Sequence, residues 1–260
     1  MTTKSRYQAP ALKKGLEILE LLATAEAGLS MSDISGALGR SVSEIFRMLQ
    51  VLEEHRYILR DESGFRLTSR LFSLGMRQPP VRDLVSTALP VMQELARNTG
   101  QSCHLAVPSG SDMVVIAGIE APGLIGFAVR IGYRRPLHLS ASGRILLAFQ
   151  PRNARAGMLA EVREAGHVVD EAALFPVLDA LAADGGGGAP SPVLNGIMDI
   201  SVPVLSGYVA RAALTIPFVD GPGSRVALAE TRAALEAAAA EVSGQLAPSG
   251  QPDQLALPQT

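Results

Sequence analysis

The segment Leu29–Leu67, LSMSDISGALGRSVSEIFRMLQVLEEHRYILRDESGFRL, decides the fold of the N-terminal part of the chain. It contains two pairs at capping-box spacing, a serine followed three residues later by an acid: Ser30 with Asp33, and Ser41 with Glu44. Gly39, between the two pairs, favours the left-handed conformation that ends a helix. The segment therefore predicts a short helix, a tight turn at Gly39 and a second helix that reaches about Arg56.

The flanking sequence adds another helix and a hairpin. Leucines recur at helical spacing after Pro10 and predict a first helix with one apolar face: Leu12, Leu16, Leu19 and Leu22. After the turn segment, two β-prone runs, Tyr57–Arg60 and Phe65–Leu67, are separated by a four-residue loop that ends in Gly64. Three helices, the last two joined by a minimal turn and followed by a hairpin, predict a winged helix-turn-helix.

The third helix has two different faces. One is predicted to be buried: Val42, Ile45, Phe46, Leu49 and Leu52. The other carries residues spaced by four, three and four, so that all point outward together: Ser43, Arg47, Gln50 and Glu54. Such a face is ordinarily just solvated, but in a helix-turn-helix followed by a wing it is the face that reads DNA.

The predicted DNA contacts divide into readers and phosphate ligands. Arg47 can bond to guanine O6 and N7, and Gln50 can pair with adenine. The hydroxyls of Ser41 and Ser43 at the helix start suit phosphate oxygens or base edges. The remaining predicted DNA contacts are arginines, of which the last three flank the wing and suit phosphates: Arg40, Arg60, Arg66 and Arg70. Glu44 is interpreted as a capping residue.

Composition bounds the class of protein. The length of 260 residues suffices for two domains, each with a hydrophobic core. A composition of 47% apolar and 18% charged residues excludes a disordered chain. A single cysteine excludes a disulfide framework and a multi-thiolate zinc site, and indicates a reducing compartment. No run of residues has the length and apolarity of a membrane span, and no signal peptide is evident, so we expect a cytoplasmic protein. Up to Pro80 there are 11 basic and 9 acidic residues, against 12 and 16 beyond it, an asymmetry too small to prove nucleic-acid binding.

The rest of the chain predicts an α+β module. A short helix with Leu71, Phe72 and Leu74 ends before Pro79-Pro80, and a longer helix then closes at Gly100. The further predicted elements are strands at 103–107, 113–119, 125–131, 198–205 and 209–217, and helices near 143–149, 152–164 and 225–246. The predicted domains are a winged helix-turn-helix at 1–67, a linker helix at 68–80, the α+β domain at 81–247 and a disordered tail at 248–260.

These features together resemble the IclR family of bacterial transcriptional regulators. The matching stretches are ALKKGLEILELLA, LSMSDISGALGRSVSEIFRMLQVLEEHRYI, FRLTSRLFSLG, CHLAV, GYRRPLHLSASGRILLAF and GIMDISVPV, which extend in order from about Ala9 to Leu246. The resemblance implies a winged helix, a linker helix used in dimerisation, and a GAF-like C-terminal domain that binds a small metabolite, commonly a carboxylate or an aromatic acid.

A ligand site is predicted around LHLSASGRILLAF. Small residues precede an apolar helix there, so backbone amides of Ala141, Ser142 and Gly143 would converge where an anion is favoured; an ordinary helix cap is the alternative. The effector-binding residues that the resemblance implies are Leu124, Phe127, Arg135, Ala141, Ser142, Ile197, Asp199 and Thr215.

The sequence departs from the family's pattern at several of these positions. The family usually has cysteine or serine where Asp199 stands and serine where Pro217 stands, and the run 184–190, DGGGGAP, replaces an acidic stretch. A carboxylate in the pocket disfavours a simple dicarboxylate unless Arg135 or Arg134 pairs with it, and suits a ligand with a donor group. The glycine run is predicted to be a surface insertion, with a mobile lid as the alternative.

Catalysis and metal binding are poorly supported. Adjacent strand residues point to opposite faces, so Cys103 and His104 cannot easily hold one metal, and neither His138 nor any other residue is spaced to complete a site. Ser142 lacks the G-x-S-x-G frame of a nucleophile elbow. No catalytic residue, metal or cofactor is predicted.

The predicted function is thus a DNA-binding regulator that responds to a small molecule. Its predicted partners are double-stranded DNA with an inverted-repeat operator, a small effector, and one or three further copies of the chain in a homodimer or homotetramer, without membrane attachment. The alternatives are a ligand-independent regulator with a degenerate pocket and, more remotely, a hydrolase fused to a DNA-binding domain.

Overall fold

The computed structural model describes residues 9–75, 79–122, 127–220 and 226–246. The chain forms two compact units, residues 1–82 and 83–260. The first contains α1 (Pro10–Thr24), α2 (Met31–Leu38), α3 (Val42–Glu54), β1 (Ile58–Asp61), β2 (Gly64–Leu67) and α4 (Arg70–Gly75). The helix α5 (Pro79–Thr99) begins at the two prolines, and the elements after it are β3 (Cys103–Ser109), β4 (Asp112–Ile119), β5 (Arg134–Pro136), a 3₁₀ turn (Leu137–Leu139), α6 (Ala141–Ala148), α7 (Arg152–Glu164), α8 (Glu171–Ala183), β6 (Gly187–Pro190), β7 (Ile197–Ser206), β8 (Val209–Val219) and α9 (Leu228–Gln245).

The first unit is a winged helix-turn-helix, as predicted. Both capping boxes form, at the start of α2 and of α3, and Gly39 ends α2 in the left-handed conformation with φ 59°. Its core consists of buried side chains from all three helices and the hairpin: Ile18, Leu22, Ile34, Ile45, Leu49, Ile58 and Phe65. The hairpin turn is tighter than predicted, because Asp61 pairs with Gly64 and only two residues lie between them.

The predicted apolar faces of α1 and α3 are only partly buried. On α1, Leu12 and Leu16 are 64% and 50% exposed, whereas Leu22 is buried as predicted, Leu19 packs against the core, and Ile18, outside the predicted set, is also buried. On α3, Val42 and Phe46 are 51% and 45% exposed. The reason is geometric: a core of three short helices and one hairpin covers a narrow stripe of each helix, so the flanks of each apolar face remain in water.

The second unit is the predicted α+β domain. Its six strands form one antiparallel sheet in the order β5-β4-β3-β8-β7-β6. Side chains from α5 and α9 pack on one face of the sheet, and side chains from α6, α7 and α8 pack on the other. Successive strand residues face opposite layers, so Cys103 and Leu105 join the first cluster while Ala106 joins the second.

Three regions differ from the sequence prediction. Of the predicted strand 125–131, residues 125 and 126 lie outside the described residues and 127–131 form no regular element, and β5 is the strand at that edge of the sheet. The sequence analysis did not predict α8. The glycine run contains the edge strand β6 rather than a lid or an insertion, and a Cβ on Gly186 would lie 2.8 Å from the Ser201 carbonyl oxygen. Close packing of this backbone against β7 therefore explains the glycine there, where composition alone suggested flexibility.

Candidate functional site

The outward face of α3 is available for contact with DNA. Ser43, Arg47, Gln50 and Glu54 are all exposed, as the helical spacing predicts. Among the described residues, Arg47 and Gln50 have no hydrogen bond or ion pair with another side chain. The two residues best suited to read bases are thus the ones left free by the fold.

The other predicted DNA contacts already have partners within the unit. The Ser41 hydroxyl lies 3.2 Å from Glu44 Oε2 in the capping box, and Glu44 also pairs with Lys14 of α1 at 2.6 Å. Arg40 pairs with Glu17 of α1 at 3.1 Å. In the wing, Arg66 pairs with Asp61, while the guanidinium groups of Arg60 and Arg70 lie over the Phe65 and Tyr57 rings at 5.4 and 5.1 Å. Arg40 therefore holds α1 against the start of α3, and the wing arginines are oriented by their neighbours.

Sequence reasoning missed Phe46 as a surface residue. It precedes Arg47 and lies one helical turn before Gln50, yet its ring is almost half exposed. The signal was present, because Ile45 and Leu49 already fill the inward stripe and Phe46 lies on its flank.

The second unit contains a cavity of about 200 Å³ between the α6 face of the sheet and the segment 127–135. The residues predicted to bind the effector that line it are Phe127, Arg135, Ala141, Ser142, Asp199 and Thr215. Ile197 is not among the lining residues, and Leu124 lies outside the described residues. Apolar walls come from Met113, Val129 and Tyr133 as well as Phe127.

The cavity floor carries the side chains of His104, Ser142 and Thr215, and Ser201, which does not itself line the cavity, extends their hydrogen-bonded row. His104 on β3 stands opposite Thr215 on β8, which stands opposite Ser201 on β7. Ser201 and Thr215 hydroxyls are 2.7 Å apart, Thr215 and Ser142 hydroxyls 2.9 Å, and Ser142 Oγ lies 3.4 Å from His104 Nε2. All four side chains are buried. Sequence reasoning identified Ser142 and Thr215 but missed His104 and Ser201, since only the strand register brings them together.

The α6 N-terminus is fixed by an unusually close approach of backbone segments. The Ser140 hydroxyl accepts a hydrogen bond from Gly143 N at 3.0 Å, so this serine is a genuine cap. A Cβ at Gly143 would lie only 2.6 Å from Leu137 Cα and from Ser140 Oγ. Only glycine therefore lets the 3₁₀ turn and α6 approach closely enough to place Ser142 on the cavity floor.

The cavity mouth is charged. Burial raises the pKa of the Asp199 carboxyl, and this is partly opposed by a hydrogen bond from Ser191 and by the charge of Arg135. Arg135 donates through Nε to the Leu139 carbonyl oxygen at 3.1 Å, which orients its guanidinium group. Arg130, also at the mouth, is exposed. The mouth thus offers two cations and a carboxyl that accepts a proton more readily than an ordinary aspartate.

His104 and Cys103 behave as different kinds of buried group. Burial lowers the pKa of His104 to about 4, so its imidazole is neutral near pH 7. Cys103 points to the opposite sheet face, lies 3.6 Å from the Met92 carbonyl oxygen, and has its pKa raised by burial to about 12. A thiol in that state is an unreactive core group. Within the described ranges, no cluster of three potential metal ligands occurs.

Comparison with known proteins decides the family. Residues 11–62 match the IclR helix-turn-helix domain, and residues 80–244 match the C-terminal domain of bacterial IclR transcriptional regulators. The chain belongs to the IclR family. Its winged helix and α+β domain are therefore the DNA-binding and C-terminal domains of an IclR-type transcriptional regulator.

Several relatives of this IclR-family chain are themselves regulators. It is 30% identical over 228 residues to the HTH-type transcriptional regulator KdgR of Escherichia coli K12, covering 85% of this chain and 87% of KdgR. It is 32% identical to the transcriptional repressor AllR of Salmonella typhimurium, although the match spans 54% of this chain and 52% of AllR. These relatives agree with the prediction of a regulator rather than an enzyme.

Solved structures show the same fold. An IclR homolog from Microbacterium hydrocarbonoxydans, crystallised in complex with 4-hydroxybenzoate, has a TM-score of 0.77 at 22% identity and covers 91% of this chain and 98% of its own. Pseudomonas aeruginosa HmgR has a TM-score of 0.71 at 24% identity, covering 90% and 98%. Among the helices that the structure describes, none combines the length and the apolarity needed to cross a membrane.

Proposed function

We propose that this IclR-family regulator binds an inverted-repeat operator as a homodimer or homotetramer, and that a small organic or aromatic acid in its C-terminal cavity changes that binding. The observation that carries the proposal is the cavity itself: six residues implied by the family resemblance, far apart in sequence, line one cavity with a buried polar floor and a charged mouth. Because promoter DNA lies in the cytoplasm, the protein acts there.

The DNA-reading part of the proposal rests on α3. Arg47 is free to form two hydrogen bonds with a guanine and Gln50 with an adenine. Phe46, exposed beside them, is suited to contact the methyl group of a thymine, which is an apolar feature of the major groove. Ser43 and the wing arginines supply contacts to phosphate, which fix position rather than sequence.

The assembly part rests on α4. Leu71, Phe72 and Leu74 are 38%, 71% and 39% exposed, so they do not pack fully within their own chain. An apolar surface on a short helix next to a DNA-binding domain suits a self-complementary contact with a second copy. Two such domains on a two-fold site would supply the specificity that one helix lacks.

The effector part rests on the size and polarity of the cavity. A cavity of about 200 Å³ can hold a ligand with one substituted ring but not a large metabolite. The cations at the mouth favour an acid, while Asp199 favours a ligand that also carries a donor group. The 4-hydroxybenzoate complex of a structural relative is consistent with this class.

Two measurements test the proposal together. Footprinting of the full chain on the DNA upstream of its own gene should reveal an inverted repeat, and a panel of small acids should include one that raises the melting temperature and alters the footprint. Asp199→Ala should abolish the response to that acid while leaving operator affinity intact. A footprint that no stabilising compound alters would favour the alternative, a ligand-independent regulator with a degenerate pocket.

A further inference from the structure

His104 is the least satisfied polar side chain on the cavity floor. The three hydroxyls of Ser201, Thr215 and Ser142 are linked at 2.7 and 2.9 Å, distances typical of full hydrogen bonds. The imidazole of His104 contacts these hydroxyls only through Nε2, which lies 3.4 Å from Ser142 Oγ, and its Nδ1 is buried with no partner among the described residues. A buried polar atom without a hydrogen bond destabilises the protein, so a ligand that forms this hydrogen bond with the imidazole removes the penalty and binds more tightly.

Burial divides the cavity into two ends of different polarity. The floor residues His104, Ser142 and Thr215 are 5%, 2% and 1% exposed, and none of them carries a charge near pH 7. The cations that line the cavity, Arg130 and Arg135, are exposed or half-buried at the mouth. The α6 N-terminus adjoining the floor is already capped by Ser140, whose hydroxyl accepts from Gly143 N. A carboxylate is therefore better placed beside the cations at the mouth, while the floor suits a neutral group.

We propose that the effector carries a hydroxyl group and inserts it at the cavity floor, and that His104 is the residue that recognises this hydroxyl. The inference rests on the proposed function, because it concerns the same cavity. A neutral imidazole has one nitrogen that donates and one that accepts, and a hydroxyl can likewise do both. The hydroxyl can therefore pair with the imidazole in either tautomer, whereas a carboxylate could only accept.

The strand register also limits the length of such a ligand. Asp199 lies two residues before Ser201 on β7, on the same face of the sheet, so the mouth carboxyl stands about 7 Å along the strand from the floor row. A ring substituted at opposite positions separates its two polar groups by a similar distance. The geometry thus points to a hydroxyl and an acid group at opposite ends of a compact ligand.

Two matched pairs of compounds test this recognition on the full chain. 4-Hydroxybenzoate and 4-methylbenzoate, and phenol and toluene, differ by a hydroxyl against a methyl group of similar size. We expect the wild-type protein, in calorimetric titrations, to bind each hydroxyl compound at least about 10-fold more tightly than its methyl partner, because only the hydroxyl satisfies the imidazole.

Variants at His104 identify the residue responsible. His104→Leu should lose the preference for hydroxyl while still binding 4-methylbenzoate, and His104→Gln, which keeps a donor and an acceptor, should retain part of the preference. Should His104→Leu fail to fold, imidazole ¹⁵N spectra of the wild-type protein provide a second readout, in which 4-hydroxybenzoate shifts the His104 nitrogens and 4-methylbenzoate does not.

The outcomes separate the inference from the proposed function. Equal binding of hydroxyl and methyl partners, or a preference that survives in His104→Leu, would overturn the role of His104 while leaving an acid-binding cavity in place. Absence of saturable binding by all four compounds would count against both the hydroxyl inference and the aromatic-acid class.

Discussion

Gly143→Ala tests whether the close approach at the α6 N-terminus builds the cavity. In the wild-type structure an added Cβ would lie 2.6 Å from both Leu137 Cα and Ser140 Oγ, and closer still to the Leu137 carbonyl oxygen. Relieving these overlaps requires the 3₁₀ turn and α6 to separate by roughly 1 Å, because non-bonded carbon atoms settle at about 3.5 to 4 Å. The substitution therefore strains a buried backbone junction and displaces Ser142.

The expected cost follows from overpacking. Forced insertion of a methyl group into a packed interior costs about 1 to 3 kcal/mol, and a clash with backbone lies at the upper end of that range. In a domain of this size about 3 kcal/mol lowers the melting temperature by roughly 6 to 12 °C. The same variant should also lose the stabilisation produced by a cavity ligand, since Ser142 no longer lies on the floor.

Gly157→Ala in α7 is the matched control. No atom lies within 4 Å of the Cβ position there, and alanine is favoured over glycine in a helix by about 1 kcal/mol, so this variant should be as stable as wild type or more stable. Thermal unfolding of the two variants side by side is the assay. Equal melting temperatures for Gly143→Ala and wild type, with ligand stabilisation intact, would show that the close approach at Gly143 does not build the cavity.

Four further predictions concern DNA reading, acid sensitivity and assembly. Arg47→Ala should lose about 1 to 3 kcal/mol of discrimination at one base position. Arg66→Ala should instead weaken binding to all sequences and make the slope of log binding constant against log salt concentration shallower by about one. If anisotropy titrations show the same effect for both variants, Arg47 does not read a base. If Phe46 contacts a thymine methyl group, one deoxyuridine-for-thymine replacement in the operator should weaken wild-type binding about fourfold, the worth of one buried methyl group, and should leave Phe46→Ala unaffected. Burial lowers the pKa of His104 from 6.5 to about 4, so between these values the unfolded state binds a proton that the folded state does not, and stability falls as the pH drops. Chemical denaturation should show that the free energy of unfolding decreases by about 2 kcal/mol from this source between pH 7 and pH 5. His104→Gln should lack this contribution. Phe72→Asp should convert a dimer into monomers in light scattering at micromolar concentration, and an unchanged mass would contradict the proposed α4 interface.

Local signals explain why the first unit was predictable from sequence. A capping box and a left-handed glycine act within a few residues, so Ser30, Ser41 and Gly39 specify their helix boundaries without reference to the rest of the fold. Burial is different, because it depends on what the fold places opposite each face. Leu12 and Phe46 fit an apolar helical pattern and still lie at the surface, since the small core does not reach them.

The cavity was harder to predict from sequence, because its residues come together only through distant parts of the fold. Ser142 could be found from its place before an apolar helix, but the contact between His104 and Ser142 joins residues 38 positions apart. The two residues meet because β3 pairs with β8, which sets His104 opposite Thr215, and because α6 packs on the sheet so that Ser142 reaches Thr215; no local pattern specifies either contact. The glycine run was misinterpreted for a similar reason: its composition suggests flexibility, whereas pairing with β7 makes it a strand.

The proposed regulation requires that a ligand in the C-terminal cavity change how the N-terminal domain binds DNA. The most direct measurement is the dissociation constant of the operator, determined by fluorescence anisotropy with and without a saturating concentration of an acid that stabilises the protein. We expect the dissociation constant to change by about 5- to 150-fold, and the affinity for the acid to change by the same factor when operator is present, because coupling between two sites is reciprocal. Saturable binding of the acid with an unchanged operator dissociation constant would contradict the proposed regulation.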